Sequence, residues 1–134
     1  MKNDCVFCSI VAGDLESYKV YEDENVLAFL DSNPVSKGHT LVVPKNHVEN
    51  IHQAEGMDYM WDAIVKVSNA VKDAFGAKGI NIDQNNGSVA GQEVFHLHFH
   101  VTPRYDGSEI DLSYNRSKLE NGEELSNRIK SQLT

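Results

Sequence analysis

Apolar and polar positions alternate with two different periods along this chain, and the periods mark its elements. Residues 57–75 carry Met57, Met60, Trp61, Ile64, Val67, Val71, Ala74 and Phe75 at helical spacing, with Gly76 placed as a C-cap, which predicts one long amphipathic helix. Shorter runs bounded by turn residues predict strands: SYKVYEDE at 17–24, NVLAFLDS at 25–32, HTLVVP at 39–44 and GINIDQNN at 79–86. A fifth, VFHLHFHVTP, occupies 94–103 and follows the glycine-containing loop NNGSVAGQ. DCVFCSIVAG predicts an N-terminal helical turn ending at Gly13, and NGEELSNRIKSQL a short amphipathic helix near the C-terminus. Strands joined mostly by short turns, with one long helix, imply an α+β fold with a five-stranded antiparallel sheet and short terminal helices.

The fifth strand is unusual in its chemistry. Of the six histidines in the chain, His96, His98 and His100 sit at alternate positions, with Leu97, Phe99 and Val101 between them. In a strand the imidazoles would line one face and the apolar residues the other. Three readings follow from the residues alone. The face could be merely polar, it could hold zinc through three histidines, or it could be a phosphate site in which one imidazole is a nucleophile and a neighbour steadies charge.

Composition narrows the setting. A chain of 134 residues, 40% hydrophobic and 24% charged, fits one globular domain with a real core. No apolar run reaches a membrane span, and the stretch MKNDCVFC is too short in apolar residues for a signal peptide, so the expected setting is the cytoplasm, with no membrane partner. The net charge of −8 argues against nucleic acid as a partner while leaving room for a small phosphorylated ligand. Cys5 and Cys8 form C-x-x-C without a thioredoxin-like βαβ pattern, which leaves a metal half-site or two unremarkable small residues ahead of a redox pair.

The H-x-H-x-H run followed by VTPR resembles the histidine-triad (HIT) family of nucleotide hydrolases and transferases. VFCSIVAGD, YKVYEDENVLAFLDSNP, KGHTLVVPKNHVENI and NNGSVAGQEVFHLHFHVTPR follow one another in that family's order and spacing. The resemblance implies a single HIT domain over 1–134, with a motif-bearing core at about 5–104 and a C-terminal extension at 105–134. It implies a half-barrel-like sheet and a homodimer joined through the long helix and an edge strand. By the same resemblance His98 attacks the α-phosphorus of a purine nucleotide to form a nucleotidyl-imidazole, and water then releases the nucleoside monophosphate. The carbonyl of His96 holds the second nitrogen of His98, His100 donates to the phosphate or leaving group, and His39 donates or relays. Asn85 and the backbone around Gly91 and Glu93 cradle phosphate oxygens. Many relatives carry a hydroxyl residue where this chain has Glu93, so its N–H rather than its carboxylate is expected to face the phosphate.

The resemblance further implies that Asp31 accepts the ribose hydroxyls and that Phe7, Ile10, Phe29 and Leu41 wall the base, although each of these five also reads as a turn or core residue. Cys5, Cys8, His47 and His96 match positions that hold zinc in one branch of the family and in the related galactose-1-phosphate uridylyltransferases, which implies a structural zinc and no organic cofactor. His52 takes no role. The uridylyltransferase branch replaces the third histidine by glutamine, so His100 implies a hydrolase. Cleavage of a P–N or P–O–P bond is the expected reaction. The rivals are a nucleotide-binding sensor with residual activity and a hydrolase with catalytic zinc on the triad.

Overall fold

The computed structural model describes residues 4–107 and 116–133. Among these residues three α-helices, α1 (Val6–Ala12), α2 (Tyr59–Phe75) and α3 (Gly122–Lys130), accompany five strands: β1 (Lys19–Glu22), β2 (Val26–Leu30), β3 (Thr40–Pro44), β4 (Gly79–Asp83) and β5 (Phe99–Arg104). The strands form one sheet in the order β1-β2-β3-β5-β4, and every pairing is antiparallel. This is the expected α+β arrangement. No helix among the described residues is long and apolar enough to cross a membrane.

Period-two alternation divides β2 and β3 between two cores. Val26, Ala28, Val42 and Val101 face α2, where they meet Met60, Ala63, Ile64, Val67 and Val71. Leu27, Phe29, Leu41 and Val43 face the other way and pack against Phe7 and Ile10 of α1. Both faces of the central strands are covered, which is why VLAF and TLVVP read as continuous apolar runs rather than alternating ones. The α1 face is where the histidines gather.

Both helix ends expected from glycine are present. Gly13 (φ 84°) and Gly76 (φ 63°) adopt the left-handed conformation that closes α1 and α2. The helical stripe is narrower than its sequence suggests, however. Trp61 is 70% exposed and Phe75 39% exposed, whereas Ala63 is buried in the core. Trp61 and Phe75 lie off the face that meets the sheet, and Phe75 instead covers Gly38. Gly38 takes φ +94°, a conformation that favours glycine, and a Cβ there would also meet the Phe75 ring at 2.7 Å.

The fifth strand also begins later than its alternation predicts, at Phe99 rather than Val94. Pro44 explains the difference. The β3–β5 ladder pairs Thr40 with Val101, Leu41 with His100 and Val42 with Phe99, so its continuation would run toward Pro44, which has no N–H to donate. The Leu97 N–H turns instead to the Val48 carbonyl at 2.8 Å. His96 and His98 therefore precede the strand, in irregular backbone, and only His100 lies within it. Leu97 and Val101 are still buried and Phe99 half-buried, so the apolar side of the alternation survives the loss of the ladder.

Candidate active site and metal centre

His39, His96, His98 and His100 are each tied by at least one ring nitrogen, and the ties differ. His98 Nδ1 lies 2.7 Å from the carbonyl oxygen of His96, so it carries the proton and donates. In the neutral ring this leaves Nε2 as the lone pair. Burial lowers the pKa of His98, with the His96 carbonyl opposing the shift, which favours the neutral ring at pH 7. The ring of Phe7 stands edge-on to it at 5.1 Å between centroids. An unprotonated, oriented imidazole nitrogen is a competent nucleophile.

His96 is completely buried and shows the opposite tautomer. Its Nε2 donates to the Pro44 carbonyl at 2.8 Å, so Nδ1 is the lone pair. Desolvation pushes its pKa down to about 4. That Nδ1 faces Cys5 Sγ at 3.4 Å, Cys8 Sγ at 3.5 Å and His47 Nδ1 at 3.1 Å, while Cys8 Sγ lies 3.4 Å from His47 Nδ1. Helix α1 places both thiols, since Cys5 is its N-cap and accepts from the Cys8 N–H at 3.3 Å. Cys5, Cys8, His47 and His96 could together hold a metal ion, their ligand atoms all lying within 4.8 Å of one another.

Asp31, His39 and His100 converge as well. His39 Nε2 is 2.9 Å from His100 Nδ1 and 3.6 Å from Asp31 Oδ2. Burial lowers the pKa of both histidines, helped by Arg104 at His39 and by the His39 ring at His100, against an upward pull from Asp31. Asp31 Oδ1 accepts from the Asn33 N–H at 2.9 Å, leaving Oδ2 on the histidine side.

The loop before β5 completes the surroundings. Gly91 takes φ +97°, and a Cβ there would lie 3.4 Å from Asn85 Nδ2, so the backbone of one and the amide of the other are in close approach. Glu93 is exposed and lines a cleft of about 310 Å³ together with Asp4, Cys5, Val6, His47 and others, on the thiol side of His96. Phe7, Ile10, Phe29 and Leu41 are all buried in the α1 core, where they support the histidines from beneath. His52 is exposed.

One organising residue escapes a motif search. Gln92 is buried, accepts from the Gly87 N–H at 2.8 Å, and donates to the carbonyls of Glu49 at 2.7 Å and Val94 at 3.0 Å. It ties the glycine loop to the segment after His47. A lone glutamine between a glycine loop and an apolar run carries little signal by itself.

Comparison with known proteins agrees with this architecture. The family model described as HIT domain matches residues 12–107. Protein hit of Bacillus subtilis is 52% identical over 104 residues, spanning 76% of this chain and 72% of its own length. Adenosine 5'-monophosphoramidase hnt1 of Schizosaccharomyces pombe is 41% identical over 134 residues, covering 94% of this chain and 98% of its own. The crystal structure of a HIT family protein from Bacillus anthracis superposes with a TM-score of 0.91 at 37% identity, over 100% of both chains. With its fold, its histidine cluster and these matches in agreement, the chain belongs to the HIT domain family.

Proposed function

We propose that this protein is a nucleotide hydrolase that cleaves a P–N or P–O–P bond at the α-phosphate of a purine nucleotide through a nucleotidyl-His98 intermediate. The observation that carries this reading is the 2.7 Å contact between His98 Nδ1 and the His96 carbonyl, which leaves Nε2 as the lone pair. That nitrogen attacks the α-phosphorus, and the bond to the leaving group breaks with its electron pair. Water then attacks the same phosphorus, His98 departs as neutral imidazole, and the nucleoside monophosphate is released. His100 donates to the phosphate or leaving group, His39 supports it, Asn85 and the N–H groups near Gly91 and Glu93 hold phosphate oxygens, and Asp31 binds the ribose hydroxyls. The base rests against the edge of the Phe7, Ile10, Phe29 and Leu41 cluster. Hydrolase chemistry on an adenosine nucleotide is supported by the name of the related S. pombe monophosphoramidase.

The metal in this reading is a structural zinc on Cys5, Cys8, His47 and His96. Tetrahedral zinc with ordinary bond lengths separates two nitrogens by roughly 3.3 Å, and nitrogen from sulfur by roughly 3.6 Å. The separations of 3.1 Å and 3.4–3.5 Å in the structure support that fit, as does the Pro44 carbonyl that fixes the metal-facing tautomer of His96. Zinc there ties α1 to the segment that carries the nucleophile. Because His96 turns its lone pair to the thiols and away from His98 and His100, a catalytic zinc spanning the triad is the weaker reading.

The whole chain is read as one HIT domain acting as a cytoplasmic homodimer. The dimer is supported by an apolar hollow of about 400 Å³ bordered by Ile51, Met57, Trp61, Ile82 and Phe99, beside the open edge of β4. Trapping tests the reaction. Rapidly quenched turnover of an α-³²P-labelled adenosine phosphoramidate should leave label on the protein that is stable in alkali and lost in acid. In His98→Ala that label should vanish and kcat should fall by at least ~10⁴-fold, on the order of 5 kcal/mol. A variant that kept a tenth of the activity would rule His98 out as nucleophile.

A further inference from the structure

Loop 31–39, which joins β2 to β3, is built around the ring of its last residue, His39. The Asp31 N–H donates to the His39 carbonyl at 3.0 Å, and the His39 N–H donates to the Ser36 carbonyl at 3.2 Å. The Ser36 hydroxyl donates to the Pro103 carbonyl at 2.7 Å, and Tyr105 Oη donates to the Lys37 carbonyl at 2.5 Å, fastening the loop to the chain at the end of β5. Within this turn the Val35 N–H donates to His39 Nδ1 at 3.2 Å.

That last contact has a consequence for protons. A peptide N–H is a donor at every pH at which the protein is folded, so the ring nitrogen it meets must accept. His39 Nδ1 is therefore a lone pair, and the proton of the neutral ring sits on Nε2. This proton points at His100 Nδ1, 2.9 Å away, which must accept in turn. Neutral His100 then carries its own proton on Nε2. Asp31 Oδ2, 3.6 Å from His39 Nε2, favours the same placement, because a carboxylate beside an N–H stabilises it. An extra proton has no good position. On His39 Nδ1 it would confront the Val35 N–H, and on His100 Nδ1 it would drive the His39 proton to that same place.

The polarity is the reverse of that around His96. There the outer nitrogen donates to a carbonyl and the inner one is left for a metal, whereas His39 has its outer nitrogen occupied by a donor. By this criterion the Asp31, His39 and His100 group is arranged for hydrogen bonding rather than for a metal.

We propose that the Val35 N–H is a positioning group of the site: acting through His39, it holds the His39–His100 pair in one neutral tautomer and presents the His100 Nε2–H as the outward donor. That this donor meets a phosphate oxygen or leaving group rests on the function proposed above; the tautomer itself does not. Val35 has an exposed side chain, so what matters at this position is its backbone.

The test is a long-range ¹H–¹⁵N spectrum of the imidazole nitrogens in the full-length protein at pH 7.5, without nucleotide. His39 and His100 should each show a protonated Nε2 and an unprotonated Nδ1. Replacing the Val35 peptide nitrogen by an ester oxygen removes only the donor, and should let His39 populate the Nδ1–H form and His100 become a mixture. His39→Leu should likewise release His100 from its single tautomer, whereas His39→Gln, whose amide holds both an acceptor and a donor, should keep it. Protonation of either ring at Nδ1 in the unaltered protein would overturn the proposal. So would a His100 spectrum unchanged by both the ester and His39→Leu. Because the spectra are taken without substrate, they decide this point even if the protein proves not to hydrolyse a nucleotide. For turnover, loss of the oriented donor should lower kcat by about tenfold or more, with recovery in His39→Gln.

Discussion

His98 Nδ1 lies 2.7 Å from the backbone carbonyl of His96, the residue whose own ring faces two thiols and a second imidazole. One residue thus serves two neighbours with different groups. Its carbonyl orients the proposed nucleophile, His98, and its side chain belongs to the candidate zinc centre. A disturbance of that centre should therefore reach His98 through the backbone, as displacement rather than as loss of a reacting group.

The zinc reading therefore has a graded outcome. Cys5→Ala or Cys8→Ala should abolish metal binding and lower the melting temperature, while the folded fraction still hydrolyses substrate at a reduced rate. Metal analysis of protein purified without added zinc or chelator should give close to one equivalent per chain. A value under about a tenth would count against the site.

Acid should destabilise the fold. His39 is buried and His100 half-buried, and burial lowers the pKa of each below its ordinary value of 6.5. As pH falls below about 6.5 the unfolded chain takes up these protons before the folded one does. Stability supplied by the neutral pair is thus fully present above that pH and is lost on acidification, until the folded pKa values are passed. Denaturant midpoints measured from pH 7.5 to pH 5 should decrease, and replacing both histidines by glutamine should flatten the slope. An unchanged slope would assign the effect to other groups.

The exposed face of α2 gives a separate test. Trp61 is 70% and Ile82 44% exposed beside the apolar hollow, an expensive arrangement for a surface left in water. Trp61→Glu should convert the proposed dimer to a monomer by sedimentation, with the α2 core intact because Trp61 does not contribute to it. A dimer that survives this change must use another surface.

Much of this architecture was legible in the chain because its signals are local. The spacing of Met60, Ile64, Val67 and Val71 marks α2, Gly13 and Gly76 mark helix ends, and both the histidine alternation and C-x-x-C survive into three dimensions as neighbouring clusters. What was hidden depends on partners distant in sequence. The late start of β5 is set by Pro44, more than fifty residues earlier, which no pattern within 94–103 can reveal. Trp61 follows the helical period well enough to pass for core, yet falls outside the stripe that the sheet covers. The tautomer of His100 is set by a peptide N–H, which has no sequence signature at all.

The central claim is that His98 forms a covalent bond to phosphorus, and the stereochemistry of the reaction tests it most directly. Two successive in-line displacements, first by His98 and then by water, invert the α-phosphorus twice. Hydrolysis of a substrate chiral at that phosphorus, in isotopically labelled water, should therefore yield a nucleoside monophosphate of retained configuration. A single direct attack by water would give inversion, and inversion would contradict the nucleotidyl-His98 intermediate.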